Sequence, residues 1–343
     1  MAQIAKTNRR IVLASRPRGL PDDDTLRLEE CPVPDPGSGE MLLRTEFLSI
    51  DPYMRGRMDD AKSYAPPLGL GDVMPGSVIA EVVASNIDDF APGDRVLAGS
   101  GWQDFAVSDG SGVKNLGPAP DNPTWYLGLL GMPGYTAYAG LTVIGAPQPG
   151  ETLVVAAASG PVGATVGQIA RIKGCKVIGV AGGAEKCRHV VDVLGFDACL
   201  DHRDPDIRTK LAAACPDGID IYFENVGGKV LYAVLPLLND DARVPVCGVV
   251  SWYNLSSLPD GKDYAPLVMS TILKSKVKMQ GFIITDSFAP ETYEAFRQDM
   301  TSWVKDGKIA YKEQIVRGLE NAPRALNDVL LGRNFGKMVV SAG

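Results

Sequence analysis

The sequence predicts an α/β protein in two parts, a small irregular β barrel followed by a doubly wound parallel sheet. Three observations carry this. Up to about residue 125 the chain reads as short apolar strands broken by Pro and Gly clusters. From about 126 to 310, strands alternate with helices. The tail, 311–343, returns to strand, helix and strand and is expected to complete the first part. The length of 343 residues agrees with two domains, because single cores stop growing beyond about 250–300 residues.

In the first part, 10–15, 26–30, 40–47, 78–84 and 94–98 read as strands. Breakers such as Pro32-Val33-Pro34-Asp35-Pro36-Gly37 separate them. In the second part, 152–157 is a continuous apolar run, the mark of a strand buried on both faces. A Gly-rich turn follows, then a helix with Val166, Ile169, Ala170 and Lys173 at helical spacing that stops at Gly174. Next come a strand over 176–180 and a helix over 185–194, with Cys187, Val190, Val191 and Leu194 on one face. Strands recur at Ile219–Phe223, 244–250 and 279–284, and a long helix at Pro290–Lys305. The tail gives a strand at 312–316, a helix at 322–331 and a strand at Lys337–Ser341.

Composition narrows the function classes. Charged residues are 22% and hydrophobic residues 45%, as in a soluble globular protein. Lys and Arg number 34 against 41 Asp and Glu, a net charge of -7. That balance argues against nucleic-acid and anionic-membrane partners, which need a basic surface. The first apolar run, Ile11 to Ala14, is too short for a secretion signal. The uncharged stretch 152–170 is about as long as a membrane span, but Ser159, Gly160, Pro161, Gly163 and Gly167 make it strand, turn and helix start. Six cysteines scatter through apolar segments with no Cys-x-x-Cys pair, which suits free thiols in a reducing cytoplasm.

The sharpest local signal is Ala158-Ser159-Gly160-Pro161-Val162-Gly163-Ala164. A pyrophosphate needs backbone without Cβ atoms in its way and helix N-terminal N–H groups aimed at it. Ala158 stands where the first glycine of the usual fingerprint would be, so the motif rests on its strand–turn–helix context. The competing reading is a tight Gly turn with no ligand. After the next strand, Gly182-Gly183-Ala184-Glu185-Lys186 offers no acid at the strand end and then a cation. An NAD site would place an acid there for the ribose hydroxyls, whereas a 2′-phosphate attracts Lys186. Glu185 is contrary evidence, unless it only answers the helix dipole, and Lys186 also reads as a solvated helix face.

A catalytic zinc needs Cys and His ligands with one open position. The first half of the chain holds Cys31 and no His; the two histidines, His189 and His202, fall in the second part. No metal is expected.

Six segments then occur in a telling order. They are Asp51-Pro52-Tyr53-Met54-Arg55, Ala91-Pro92-Gly93-Asp94-Arg95-Val96, Gly131-Met132-Pro133-Gly134-Tyr135, the Gly160 turn, Phe223-Glu224-Asn225-Val226-Gly227-Gly228, and Cys247-Gly248-Val249-Val250-Ser251-Trp252-Tyr253-Asn254. Over nearly its whole length the chain resembles the zinc-independent medium-chain reductases, the branch of prostaglandin, alkenal double-bond and curcumin reductases. The resemblance implies a GroES-like domain and a Rossmann domain with a cleft between them, usually in a homodimer. It implies NADPH-dependent reduction of the C=C bond of α,β-unsaturated aldehydes and ketones.

At matching positions the resemblance implies that Gly160, Pro161, Val162, Gly163 and Ala164 meet the pyrophosphate and Lys186 the 2′-phosphate. It implies that Asn225, Cys247, Gly248, Val249, Ser251 and Tyr253 line the adenosine and nicotinamide side. Phe282, Ile283 and Ile284 would approach the nicotinamide, and Asn334 would reach back from the tail. The family often has Tyr-Lys near the 2′-phosphate where this chain has His202-Arg203, so Arg203 would supply that cation and His202 alters the adenine side.

Reducing an enone at its β-carbon leaves negative charge on the carbonyl oxygen, which needs a donor, and an α-carbon that needs a proton. With no metal and no His in the first part, tyrosine hydroxyls and cofactor or backbone donors remain, and the hydroxyls stay protonated at neutral pH. Tyr253, at an expected strand end, and Tyr53 and Tyr64, on first-part loops, are the candidates; each also reads as a core-capping amphipathic residue. Trp102 and Met132 are candidate pocket walls, with core packing the competing reading for Met132. Quinone reduction and a catalytically silent NADPH-binding sensor stay open as alternatives. Pocket shape is expected to depend on the loops 59–71 and 256–263, and dimerisation on pairing of the 279–285 strands.

Overall fold

The computed structural model describes residues 6–257 and 261–343. The chain divides into two compact units, Met1–Gly128 with Glu313–Gly343, and Leu129–Lys312. The sequence puts these divisions near 125 and 310.

The first unit carries β1 (Thr7–Leu13), β2 (Leu26–Pro32), β3 (Met41–Ser49), β4 (Val78–Ser85), β5 (Arg95–Ala98), β6 (Phe105–Ser108) and β7 (Lys114–Gly117). β1 and β2 pair antiparallel. The second unit carries β8 (Thr152–Ala156), β9 (Lys176–Ala181), β10 (Ala198–Asp201), β11 (Ile219–Phe223), β12 (Leu238–Val246) and β13 (Lys278–Gly281). The tail adds β14 (Glu313–Arg317) and β15 (Lys337–Ser341). In the first unit the remaining strands form one sheet, ordered β14-β15-β3-β4-β5-β7, with β6 also on β3. β15 lies between β14 and β3, pairing Val339 with Ser49 and Ile315 with Val339.

The second unit's sheet is parallel throughout, in the order β10-β9-β8-β11-β12-β13. The chain walks outward from β8 through β9 to β10, then returns to β11 and walks the other way. The reversal therefore falls between β8 and β11, where α/β sheets bind ligands beyond the strand C-terminal ends. Every residue of β8 is buried, as its unbroken apolar run requires. On one face Val154, Ile178 and Val180 pack with Leu211, Val230 and Val234 from helices Ile207–Ala214 and Gly228–Val234. Helix Pro161–Ile172 also packs closely on its surroundings: a Cβ on Gly167 would lie 1.9 Å from Phe196 Cζ. The stretch 152–170 is thus strand, turn and helix, and among the described residues no helix is long and apolar enough to cross a membrane.

Two expected strands differ. The 244–250 strand is instead Leu238–Val246. A last bridge joins Glu224 and Val246, with Cys247 N–H on the Glu224 carbonyl at 2.9 Å; Gly248 N–H then turns to the same carbonyl, at 3.2 Å, and the ladder ends. Tyr253 consequently sits beyond the 3₁₀ turn Val250–Trp252 and not at a strand end. The 279–284 strand stops at Gly281, because Asp286 and Ser287 donate to the Ile283 carbonyl and close a turn. β6, β7 and β10 are not among the expected strands; four residues are too few to show a period. Part of the 256–263 loop lies outside the described residues.

Candidate functional site

In a parallel sheet all strand C-terminal ends share one edge, and the second unit concentrates its candidate residues there. The Gly160 turn follows β8, Gly182-Gly183 follows β9, and His202-Arg203 follows β10. Asn225–Gly228 follows β11, 247–253 follows β12, and Phe282, Ile283 and Ile284 follow β13.

The turn after β8 is built for close approach. Ala157 takes a left-handed φ of 53°. Its carbonyl accepts from Gly160 N–H at 2.9 Å, and the Ala158 N–H bonds the Val180 carbonyl. Gly160 then caps the helix and Pro161 opens it, where its missing N–H costs no intrahelical bond. A Cβ on Gly163 would sit 2.3 Å from the Ala157 oxygen, so this position admits only glycine without a backbone shift. The free first-turn N–H groups and the bare cradle suit a diphosphate.

Across the strand reversal, Asn225 donates to the Ala156 carbonyl at 2.9 Å and ties the ends of β11 and β8 together. The 247–253 segment is zipped to the same loop. Val250 N–H donates to Asn225, and Ser251 donates to Val226 through its N–H and, at 2.6 Å, its hydroxyl. The Tyr253 hydroxyl lies 3.0 Å from where a Cβ on Gly248 would be.

Beneath this loop is Glu224, a residue the sequence reading did not single out. It is 1% exposed. Its Oε1 accepts from the Val226 and Gly227 N–H groups at 2.5 and 2.8 Å. Burial raises its pKa above the usual carboxyl range, against those N–H donors. Burial, with Glu224 adding to it, pushes the Cys247 thiol up to about 12.

At the ends of β9 and β10 the charges gather. His202 Nε2 and an Arg203 guanidinium nitrogen lie 2.8 and 3.3 Å from the Cβ position of Gly182. Half-burial and the Arg203 charge lower the Lys186 pKa, with Glu185 opposing. Burial lowers the His202 pKa; Asp201 opposes it, while Arg203, Lys229 and Lys186 add to it. Lys229 was not found from sequence, since it lies some distance along the chain on another helix. Lys186, Arg203 and Lys229 together bring cations to this end of the sheet, which suits an anionic ligand.

The other candidates belong to the first unit or its tail. Tyr53 opens the short helix Tyr53–Gly56. Burial raises its pKa, with Asp51 and Tyr64 adding to the shift. Tyr64 is exposed, and burial of its hydroxyl raises its pKa against the Arg57 charge. Both hydroxyls therefore stay protonated at neutral pH. Tyr253 lies in the second unit. Asn334 donates to the Gly336 carbonyl at 2.9 Å. Trp102 is fully buried, and Met132 is partly exposed at the start of helix Met132–Ala139. Among the described residues no group of three or more His, Cys, Asp or Glu could hold a metal ion.

Known proteins resemble this arrangement over the whole chain. A family model described as the N-terminal domain of oxidoreductase matches residues 9–116, and one described as zinc-binding dehydrogenase matches 161–304. An NADPH-dependent curcumin reductase of Escherichia coli is 58% identical over 340 residues, 99% of this chain and 98% of that one. A 2-alkenal reductase (NADP(+)-dependent) of Nicotiana tabacum is 36% identical over 341 residues, 97% of each chain. The crystal structure of CurA in complex with NADPH from Vibrio vulnificus superposes with a TM-score of 0.95 at 54% identity, covering 98% of this chain and 99% of that one. With a GroES-like first domain, a Rossmann second domain and relatives of this closeness along its full length, the chain belongs to the zinc-independent branch of the medium-chain dehydrogenase/reductase family.

Proposed function

We propose that this chain is an NADPH-dependent reductase of the C=C bond in α,β-unsaturated aldehydes and ketones. The observation that carries the reading is the cationic rim of Lys186, Arg203 and Lys229 around His202, in a chain matching an NADPH-dependent curcumin reductase end to end. An NAD site would be expected to show an acid at the end of β9, and here that strand runs into two glycines.

In this reading the residues from Gly160 to Ala164 hold the pyrophosphate on the helix N-terminus. Lys186 and Arg203 hold the 2′-phosphate. Asn225, the 247–253 segment, and Phe282, Ile283 and Ile284 line the nicotinamide side, and Asn334 belongs to the cofactor set. When bound, the cofactor supplies hydride to the β-carbon of the enone.

The chain's own part is orientation and proton supply. A tyrosine hydroxyl donates to the carbonyl oxygen as negative charge develops there. Tyr253 is the first candidate, Tyr53 and Tyr64 the alternatives; water or tyrosine delivers the proton to the α-carbon. A positioned acid contributes roughly 10²–10⁴ in rate. The raised pKa values of Tyr53 and Tyr64 suit donors, which must hold their proton until charge appears.

The working form in this reading is a cytoplasmic homodimer. β13 is the last strand of its sheet, so one edge is open to pair with a second copy. Met269 and Leu273, on helix Ala265–Ser275 nearby in sequence, are exposed apolar residues that a partner would cover. Sedimentation at a single monomer mass over a range of concentrations would remove this part.

The function is tested by following NADPH absorbance with an enone, a quinone and a saturated ketone, and identifying the product by NMR. Consumption with the enone, giving the saturated carbonyl, supports the reading. Consumption with the quinone alone reassigns the substrate class, and intact NADPH binding without turnover makes the chain a binding protein.

A further inference from the structure

We propose that His202 and Lys229 complete the pocket for the 2′-phosphate, and that His202 takes up a proton when the phosphate enters. The inference rests on the cofactor reading above and goes beyond it. It assigns a specificity role to Lys229 and a titrating role to His202.

The geometry is that of a converging cluster. The imidazole lies against the Gly182 backbone, in space that a Cβ would contest, with the Arg203 guanidinium beside it over Gly182 and Gly183. Lys186, on helix Ala184–Asp192, and Lys229, at the start of helix Gly228–Val234, are near enough for their charges to act on it. Cations from three separate elements thus act on one imidazole. The opposing acid acting on it is Asp201, whose own charge is held by the Arg203 and Gly183 N–H groups as well as by His202 and Arg203. Glu185 acts on Lys186, and Lys229 also acts on Asp204.

Without an anion, burial and these cations keep His202 neutral at pH 7 and above. A phosphate monoester dianion at the centre of the cluster reverses the field. It neutralises the cations that repel a proton and attracts the proton itself, so the imidazolium becomes the favoured form. Only ligands with the 2′-phosphate draw the proton in, and their affinity rises as pH falls from about 8 towards 6.5. Below that the phosphate begins to protonate, its second pKa being about 6.

The test uses the full-length protein and adenosine 2′-monophosphate. Calorimetric titration at pH 7.5 in buffers of different ionisation enthalpy counts protons taken up. The wild type is expected to gain a measurable fraction of a proton per ligand, and His202→Gln none. His202→Tyr, an aromatic side chain that does not titrate in this range, guards against a packing defect in the first variant and is also expected to gain none. Lys229→Ala is expected to weaken this ligand by about three- to ten-fold and leave NADH affinity unchanged. Equal proton uptake in the wild type and both His202 variants overturns the titrating role. Unchanged nucleotide affinity in Lys229→Ala overturns the specificity role. Wild-type protein that binds NADPH no better than NADH would instead overturn the cofactor reading beneath both.

Discussion

Lys337 Nζ lies 2.8 Å from Asp51 Oδ1, and the lysine side chain is wholly buried. The ammonium also donates to the Ile50 carbonyl at 2.8 Å, and the Ser49 hydroxyl donates to Asp51. A C-terminal strand is thereby bolted to the segment that leads into Pro52 and Tyr53. On the far side of Tyr53, the buried Arg55 donates to the Gly19 carbonyl and pairs with Asp59. A buried pair of this kind is poor evidence of net stability, because desolvation offsets its attraction; breaking it leaves an uncompensated charge. Lys337→Met alone is expected to lower stability by about 3–5 kcal/mol, read from urea unfolding. Adding Asp51→Leu is expected to restore most of it. Additive losses in the double variant would show that the two side chains do not act as a pair.

Glu224 gives a pH signature. Its pKa is raised in the folded state, so the fold binds its proton more tightly than the unfolded chain does. The stabilising contribution is then full below the ordinary carboxyl range and is lost as pH rises through the folded value. Wild-type Tm is expected to fall relative to Glu224→Gln as pH rises from about 4 towards neutrality. The variant keeps an oxygen for the Val226 and Gly227 N–H groups, so its loop persists. Parallel Tm–pH curves would reject this account.

Two glycines of one helix are expected to fail differently when changed to alanine. At Gly167 the added methyl meets the Phe196 ring, and the cost is overpacking of about 1–3 kcal/mol with NADPH affinity retained. At Gly163 it meets the Ala157 oxygen and must distort the turn itself. Gly163→Ala is therefore expected to weaken NADPH binding more than its loss of stability explains. Calorimetry and urea unfolding on both variants separate the two effects.

Lys186→Ala is expected to raise KM for NADPH by roughly tenfold or more and to leave KM for NADH nearly unchanged, the scale of one charge-assisted hydrogen bond. Equal effects on both cofactors would remove Lys186 from the phosphate pocket.

Tyr253→Phe is expected to lower kcat on enones at least several-fold with little change in KM for NADPH. An unchanged kcat passes the donor role to Tyr53 or Tyr64, whose Phe variants are then the next measurement.

Much of this was legible in the sequence because burial leaves a compositional trace. The apolar run at β8, Gly160 and Gly163 at its turn, and the Pro290–Lys305 helix stand out without coordinates. The end of β12 did not, because Cys247, Gly248 and Val249 continue an apolar string while their backbone has already turned to Glu224. Its start was hidden too, since Asn239, Asp240 and Asp241 look like a loop but lie in the ladder's strand. Lys229 joins Lys186 through tertiary proximity across helices, and no local pattern marks that. Glu224 was in view inside a motif, but only its burial and its two N–H donors reveal what it does.

The position of β15 has a consequence for biosynthesis. Residues 339–341 pair with residues 47–49, nearly three hundred positions earlier, and their strand sits inside that sheet and not at its rim. A ribosome adding about 5–20 residues per second delivers the partner some fifteen to sixty seconds after β3 has emerged. Throughout that interval β3 can pair with β4 and β6 but waits with its edge at 47–49 uncovered, while the strands of the parallel sheet, 152–281, are made before β15 arrives. The part of the polypeptide synthesised first is thus the last to be finished, and it is there that a chaperone would have the most to protect.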